Sequence, residues 1–589
     1  MRYSATDITT QDAFDKACDP KKLPFATIPV PAAAGTAQQI FVEGPDPRLT
    51  ANTTPDVCKF VPFTDGLATS KWFFAVQVED AAGNLSPISN VVSTAELALR
   101  FATIKLGGTL NTNDMRSRVW RLGDLNGDGL ADFALGGGTV EPLCVVYGRV
   151  GATIAEIDLS TKSAYPSHLC LDNPGGLGAP VARAGDVNGD GIDDLVVGVG
   201  AGTGLPRSVR VYLGKKNAAF GTTPVMTINN LTVTTGDGVW KLNTIGNFNG
   251  DTSPTGKPIA DIAVTCRSSV LSYDRVLVVP GSAAWNEAAP KTLNIDNQAD
   301  RIANKVATIR GINATGTPTF GHSITAAGNM LADTGGTQYD DVVISQQASA
   351  QSVYVIKGRP ITSDMEIVVD LASATLSGEA GTVVLRGSGA VAGNALGLFT
   401  DVVQVDGDAV PDLVVQHSQA STAGGGLYWF RGAFLAGNLG KAVILAVETV
   451  ITGTSDLLFS VAGGYRLKDY HWSPQSTGNF CDRPGPGTFT DIVHARTSAA
   501  ANGANNRVVI RFGMIRPLSA VPNEVSFLYE DLVIYDPASP VGGAKLTNWG
   551  NTNFVHTGPL AFGAIGDFNG DALPDLVIGS LTSSLIIVY

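Results

Sequence analysis

The chain has 589 residues, 44% of them hydrophobic and 16% charged, and a formal net charge of −13. That length calls for more than one domain, and the apolar content is ample for large cores. An acidic chain without a basic stripe excludes a nucleic-acid surface, and no apolar run reaches the ~18 residues of a spanning helix, so no membrane insertion is expected. The 68 glycines and 31 prolines lie between apolar runs and read as turns rather than disorder. The opening "MRYSATDITTQDAF" lacks a basic stretch followed by an apolar one, so it is no signal peptide.

Residues 1–97 form the first predicted unit. In "KWFFAVQVEDAAGNLSPISNVVS" (Lys71 to Ser93), Trp72, Phe74, Val76 and Val78 alternate as in a half-buried strand, "DAAGN" turns, and the chain returns. These residues resemble the last two strands of a fibronectin type III module, and the opening stretch resembles its third strand. The resemblance implies a partial β-sandwich whose first strands are missing. Two expectations follow: the chain is a piece of a longer secreted protein, or a partner strand completes the module. A small irregular domain stapled by Cys18–Cys58 is the alternative.

Residues 98–589 carry a repeat. "GDLNGDGLADFAL" begins at Gly123, "GDVNGDGIDDLVV" at Gly185 and "GDFNGDALPDLVI" at Gly566. Weaker copies begin at Gly246, Gly328, Val403 and Gly478, which makes seven. A spacing of roughly 60–90 residues exceeds a solenoid unit and suits a four-stranded propeller blade. A second motif keeps step: a short apolar strand ending in glycine, as in "LCVVYGR" (Leu143), "VRVYLGK" (Val209), "VYVIKGR" (Val353) and "LYWFRGA" (Leu427). A further apolar strand follows in most units, such as "IAEIDL" (Ile154) and "EIVVDL" (Glu366), and is read as the outer strand of the same unit. The last unit ends at "LIIVY" with no sequence left for an outer strand, whereas a spare strand, "LRFATIKLGG" (Leu99 to Gly108), precedes the first. Pairing the two would complete the last unit and remove exposed sheet edges.

The repeats resemble FG-GAP repeats, found in the propeller head of integrin α chains and in bacterial surface proteins. "FGHSITAAGN" (Phe320) and "FGAIGDFNGD" (Phe562) show the "FG" half. The expected fold is therefore all-β: a seven-bladed β-propeller closed by an N-terminal strand and preceded by the partial β-sandwich.

The loop chemistry points to Ca²⁺. In the first loop, oxygen donors fall on alternate residues: Asp124, Asn126, Asp128, the backbone at Leu130, then Asp132. Hard carboxylate and amide oxygens at alternate positions of a tight turn suit Ca²⁺. An EF-hand would need a glutamate at the twelfth position, where Leu135 stands. The second loop matches fully with Asp186, Asn188, Asp190, Ile192 and Asp194, and so does the seventh with Asp567, Asn569, Asp571, Leu573 and Asp575. The third keeps Asn247, Asn249, Asp251 and Asp261 around an insertion; the fifth keeps Asp406, Asp408, Val410 and Asp412 but has Gln404 at its first position. The fourth and sixth have Leu331 and Cys481 at the third position and are read as metal-free turns. Recurrence on every unit assigns the metal to stability rather than catalysis. The resemblance implies that the loops lie on the face opposite the ligand-binding face.

A search for enzyme signatures finds no HExxH, GxSxG elbow, phosphate loop or dinucleotide fingerprint. His417 and His494 are read as loop histidines just after strands, and "KDYHWSPQ" (Lys468) as a connecting loop. Cys144–Cys170 is a plausible local disulfide; Cys266 and Cys481 have no evident partner. The resulting expectation is a non-enzymatic, extracellular or cell-surface protein for adhesion, recognition or surface assembly, with a protein or glycan ligand. A propeller of a polysaccharide-degrading enzyme is the alternative. A lectin with one sugar pocket per blade is a third reading, weakened because the tryptophans fall out of register.

Overall fold

The computed structural model describes residues 101–445 apart from 107–118, 137–141, 152–153, 155, 172–176, 200–207, 230–237, 268–274, 313–318, 334–336, 348–351, 371–380, 388–394, 405–408 and 419–425. Outside that span it describes 2–4, 10–16, 26–27, 41–42, 73–75, 92–93, 459–461, 464–468, 471–478, 491–496, 507–511, 532–535, 562–571, 574–579 and 585–588. The described residues form strands, with short helices at Gln11–Lys16, Gln298–Ala303 and Gly432–Gly437.

Among the described residues of the repeat region, seven sheets of four or five strands follow one another. Each begins with a first strand that runs into one of the repeated loops. The first sheet comprises Val119–Gly123, Asp132–Gly136, Leu143–Val146, His168–Leu171 and Ser163–Ala164. The second comprises Leu177–Gly185, Asp194–Val199, Ser208–Tyr212, Met226–Asn229 and Lys291–Asn294. The third begins at Gly238–Thr244, the fourth at Thr319–Gly328, the fifth at Ala395–Val403 and the sixth at His471–Gly478. The seventh joins both ends of the repeat region: Phe562–Gly566, Asp575–Gly579, Leu585–Val588, Phe101–Lys105 and Ile157–Asp158. Leu585–Val588 pairs antiparallel with Phe101–Lys105, with Ile587 opposite Ala102.

The second strands of the first two sheets, Asp132–Gly136 and Asp194–Val199, are buried along their whole length. A strand buried on both faces needs a layer on each side. Successive sheets provide it. One core layer joins Leu135 and Val146 of the first sheet to Ile104, Val577 and Ile587 of the seventh. Another joins Val145 to Leu195 and Val197, and a third joins Val196 and Val211 to Val264 and Leu277. The first strands of successive sheets lie side by side, and that of the seventh lies beside that of the first. Sheets stacked face to face in this way are a β-propeller arrangement.

The fifth strands correct one expectation. "EIVVDL" does not complete its own unit. Met365–Asp370 crosses back to the third sheet and pairs in parallel with Ala307–Ile312, after which Thr382–Gly387 returns to the fourth. Lys291–Asn294 likewise joins Met226–Asn229, Ala442–Leu445 joins Thr382–Gly387, and Ile157–Asp158 joins Phe101–Lys105. Each of these units lends a strand to its predecessor. The reason is geometric: a strand returning from a hairpin can pair antiparallel only on its own edge, whereas a longer connection reaches the neighbour's open edge and arrives parallel. Ion pairs pin two loans, Lys105–Asp158 at 2.9 Å and Arg310–Glu366.

Two smaller readings are also corrected. His417 lies within the strand Asp412–Ser418 and His494 within Asp491–Arg496, not in loops after them. Most of "KDYHWSPQ" belongs to the strand His471–Gly478. Cys144 and Cys170 stand opposite each other on paired strands and form a disulfide. In the N-terminal unit, Arg2–Ser4 pairs with Phe73–Ala75, which pairs with Val92–Ser93. Cys18, Cys58, Cys481, Asp406, Asp408 and Leu573 lie outside the described residues.

Candidate metal centre

Each repeated loop joins the first two strands of a sheet. Gly127 and Gly129 take φ of +66° and +90°, which a side chain would strain, and they let the first loop curl on itself. Asp124 Oδ1 and Asn126 Oδ1 both accept the Asp128 N–H at 3.1 Å, and the Asn126 amide donates to Asp128 Oδ2 at 2.9 Å. Asp186, Asn188 and Asp190 repeat this geometry, as do Asp567, Asn569 and Asp571. The first, third and fifth positions therefore turn inward together in all three full loops.

The ninth position does something else. Asp132 is buried; its Oδ2 accepts Leu125 N–H at 2.7 Å and its Oδ1 accepts Gly148 N–H at 2.8 Å. Asp194 holds Val187 and Gly214 N–H, Asp261 holds Asn249 and Gly281 N–H, and Asp341 holds Leu331 and Gly358 N–H. Asp412 accepts Gly432 N–H, and Asp575 accepts Phe568 and Asn569 N–H. In the first four loops one carboxylate thus fastens its loop to the glycine of the second motif. That glycine is required: a Cβ on Gly214 would stand 2.2 Å from Asp193 O, and one on Gly358 2.3 Å from Asp340 O. Burial, first, and the nearby loop carboxylates push Asp132 and Asp575 up to about 8, against the pull of the N–H donors. Among the described residues, no three His, Cys, Asp or Glu side chains converge as a metal-holding group. The inward donor set is two carboxylates and an amide.

The loops also bind neighbouring sheets. Asp193 N–H donates to Asp124 O, Ala260 N–H to Asp186 O, Asp340 N–H to Asn247 O, and Ala131 N–H to Asp567 O. A second rung follows the glycine motif: Arg149 N–H to Phe568 O, Lys215 N–H to Leu125 O, Ser282 N–H to Val187 O and Arg359 N–H to Phe248 O. Every one of these bonds joins the eighth position, or the residue after the motif glycine, to the preceding loop.

The third and fourth loops test the fit of a cation. In the third, Asn247 Oδ1 and Asp251 Oδ1 are buried without a hydrogen-bond partner, while Asn249 donates to Asp251 Oδ2 at 3.0 Å. Two orphaned acceptors in one loop cost about 1–3 kcal/mol each unless something positive faces them, and Lys305 attracts only Asp251, without a hydrogen bond. Hard, unsatisfied oxygens of this kind fit Ca²⁺. The fourth loop also leaves Asn329 Oδ1 buried without a partner, but it holds a cation of its own: Lys357 Nζ lies 3.0 Å from Asp333 Oδ1 and 2.9 Å from Ala332 O. Lys357 precedes the motif glycine, where the first and second repeats have Tyr147 and Leu213. Sequence reading missed this lysine because it lies far along the chain from the loop it serves.

Residues 181–213 match the family model of the FG-GAP repeat, a span that runs from within the first strand of the second sheet through its loop to the residue before the motif glycine Gly214. No curated protein matches the chain. Among solved structures, the chain is similar to the Dos1 propeller, at 10% identity over 83% of this chain and 95% of that one, with a TM-score of 0.32. It is also similar to the WD40 domain of SCAP from fission yeast, at 11% identity, 83% and 98% coverage and a TM-score of 0.31. The hemagglutinin-neuraminidase of parainfluenza virus 5 with the ligand DANA follows at 10% identity, 83% and 94% coverage and a TM-score of 0.27. The propeller arrangement rests on the strand pairing above and on the FG-GAP repeat.

Proposed function

We propose that this protein is a calcium-stabilised, extracellular or cell-surface recognition protein, without enzymatic activity, whose seven sheets close into a seven-bladed propeller. The observation that carries the reading is the recurrence of the inward Asp–Asn–Asp donor set on loops that hydrogen-bond the neighbouring sheet. A cation there strengthens a junction between blades. A site repeated at several junctions serves the whole ring rather than one reaction. Closure is supported by the Leu585–Val588 pairing with Phe101–Lys105 and by the bonds from Ala131 and Arg149 to the seventh loop. The ligand, a protein or a glycan for adhesion or surface assembly, belongs on the face opposite the loops. The three paired strands of residues 1–97 are taken as a fibronectin-like module open to a partner strand.

Calcium is tested by melting the protein in EDTA and in Ca²⁺. Chelation should lower the melting temperature and Ca²⁺ should restore it; an unchanged melting curve would remove calcium from the reading. Recognition is tested on a glycan array and by pull-down from the surface of the source organism. Turnover of a polysaccharide by the purified protein would transfer the assignment to a degradative enzyme.

A further inference from the structure

We propose that the junction between the first and seventh sheets binds a carboxylate beside Arg121, in the place that an aspartate side chain fills at the next junction. At the junction of the second sheet with the first, Asp193 occupies the eighth loop position. Its Oδ1 takes Arg183 Nε at 2.9 Å and Nη2 at 2.7 Å, and its Oδ2 accepts Asp124 N–H at 2.9 Å. The carboxylate fills a cradle over Gly123, where an added Cβ would lie 2.0 Å from Asp193 Oδ2. At the junction of the fourth sheet with the third, Asp340 does the same for Asn247 N–H at 2.7 Å, over Gly246.

The junction of the first sheet with the seventh keeps the backbone of this arrangement. Ala131 N–H donates to Asp567 O at 2.7 Å, as Asp193 N–H does to Asp124 O at 3.0 Å. It also keeps the cation: Arg121 stands three residues before its loop, as Arg183 does. A Cβ on Gly566 would lie 2.9 Å from Ala131 Cβ and 4.0 Å from Arg121 Nη2, so the methyl of Ala131 stands where the aspartate side chain starts at the next junction. The acid is missing, because the eighth position is Ala131. At the third loop both partners are gone, with Thr244 for the arginine and Ala260 for the aspartate, and the fourth keeps Asp340 with Ala326 at the arginine position. Among the described residues Arg121 forms no ion pair; burial, first, and Arg183 lower its pKa, against the attraction of Asp401 and Asp193. Arg121 keeps solvent exposure, although the surrounding protein desolvates its guanidinium. A guanidinium left without its carboxylate over a glycine cradle is a receptor for one planar oxyanion. That carboxylate can come from a small acid or from an acidic side chain of a partner.

The test is melting in saturating Ca²⁺ at neutral pH, with acetate for the small acid and N-acetyl-glycyl-aspartyl-glycinamide for the side chain, each against chloride at equal ionic strength. At least one probe should raise the melting temperature by a few degrees, and the rise should vanish in Arg121→Gln. Ala131→Asp supplies the acid internally. It should melt above wild type and lose the response to the probe. No rise with either probe, a rise that survives Arg121→Gln, or an Ala131→Asp protein that folds but keeps the full response would overturn the proposal.

Discussion

The ninth aspartate of the described loops has a task in the fold that its motif does not show. In sequence it completes an oxygen-donor pattern, so Asp132 and Asp194 look like ligands. In the structure each holds two backbone N–H groups, one from its own loop and one from a glycine 16 or 20 positions away in the chain. The fourth loop keeps its ninth aspartate although its third position is Leu331, because Asp341 has the same clamp to make. The spacing of donors was legible, but the N–H partner was not, since strand pairing alone brings it there. Asp194→Asn tests the difference. An amide presents a donor to one of two N–H groups, so stability should fall by about 1–3 kcal/mol in Ca²⁺ and in EDTA alike. Asp186→Asn should cost stability chiefly in Ca²⁺. Denaturant melts of both variants in both conditions separate clamp from ligand. Asp341 adds a pH dependence. Its burial raises it from 3.8 to about 7, so between those values the folded state binds more protons than the unfolded one. This contribution is present in acid and is lost as pH rises through about 7. In Asp341→Asn that part of the stability–pH profile should flatten.

At the level of elements, the short apolar strands and their turns were legible from composition, and so was the pairing of the first and last strands of the repeat region. The lent strands were not. "EIVVDL" reads as a strand whichever sheet receives it; what decides is which edge stands open when the connection ends. Ile367, 3% exposed, sits opposite Ile309 at the centre of one loan. Ile367→Ala should cost about 2–5 kcal/mol and speed amide exchange in 307–312, on the receiving sheet. Protection confined to the donor sheet would contradict the loan. Lys357 belongs to the same scale. Because its ammonium already faces Asp333 and Ala332 O, chelation should leave amide exchange in 329–333 unchanged while it rises in 124–130. Lys357→Met should lower stability equally with and without Ca²⁺.

For the whole molecule, the decisive element is the seventh sheet, where residues from both ends of the repeat region share one ladder. Its core layer packs against the first sheet through Phe133 and Phe568, whose rings stand 5.4 Å apart, and its loop receives N–H groups from Ala131, Arg149 and Gly151. The ladder carries no covalent tie, so its hold on the two ends depends on hydrogen bonds and burial alone. Thr103 and Ile586 face each other across it. Replacing both by cysteine places two thiols at directly opposed positions of an antiparallel pair, the relation in which Cys144 and Cys170 are joined in this chain. The disulfide should form under mild oxidation and enclose nearly the whole repeat region. Closing a loop longer than 100 residues removes about 5 kcal/mol of unfolded-state entropy in the chain model, less any strain. The oxidised protein should therefore melt well above its reduced form, and the gap should widen in EDTA, where the loops at the junctions hold least. Failure of the two cysteines to oxidise in the folded protein would mean that Leu585–Val588 and Phe101–Lys105 do not meet in this register.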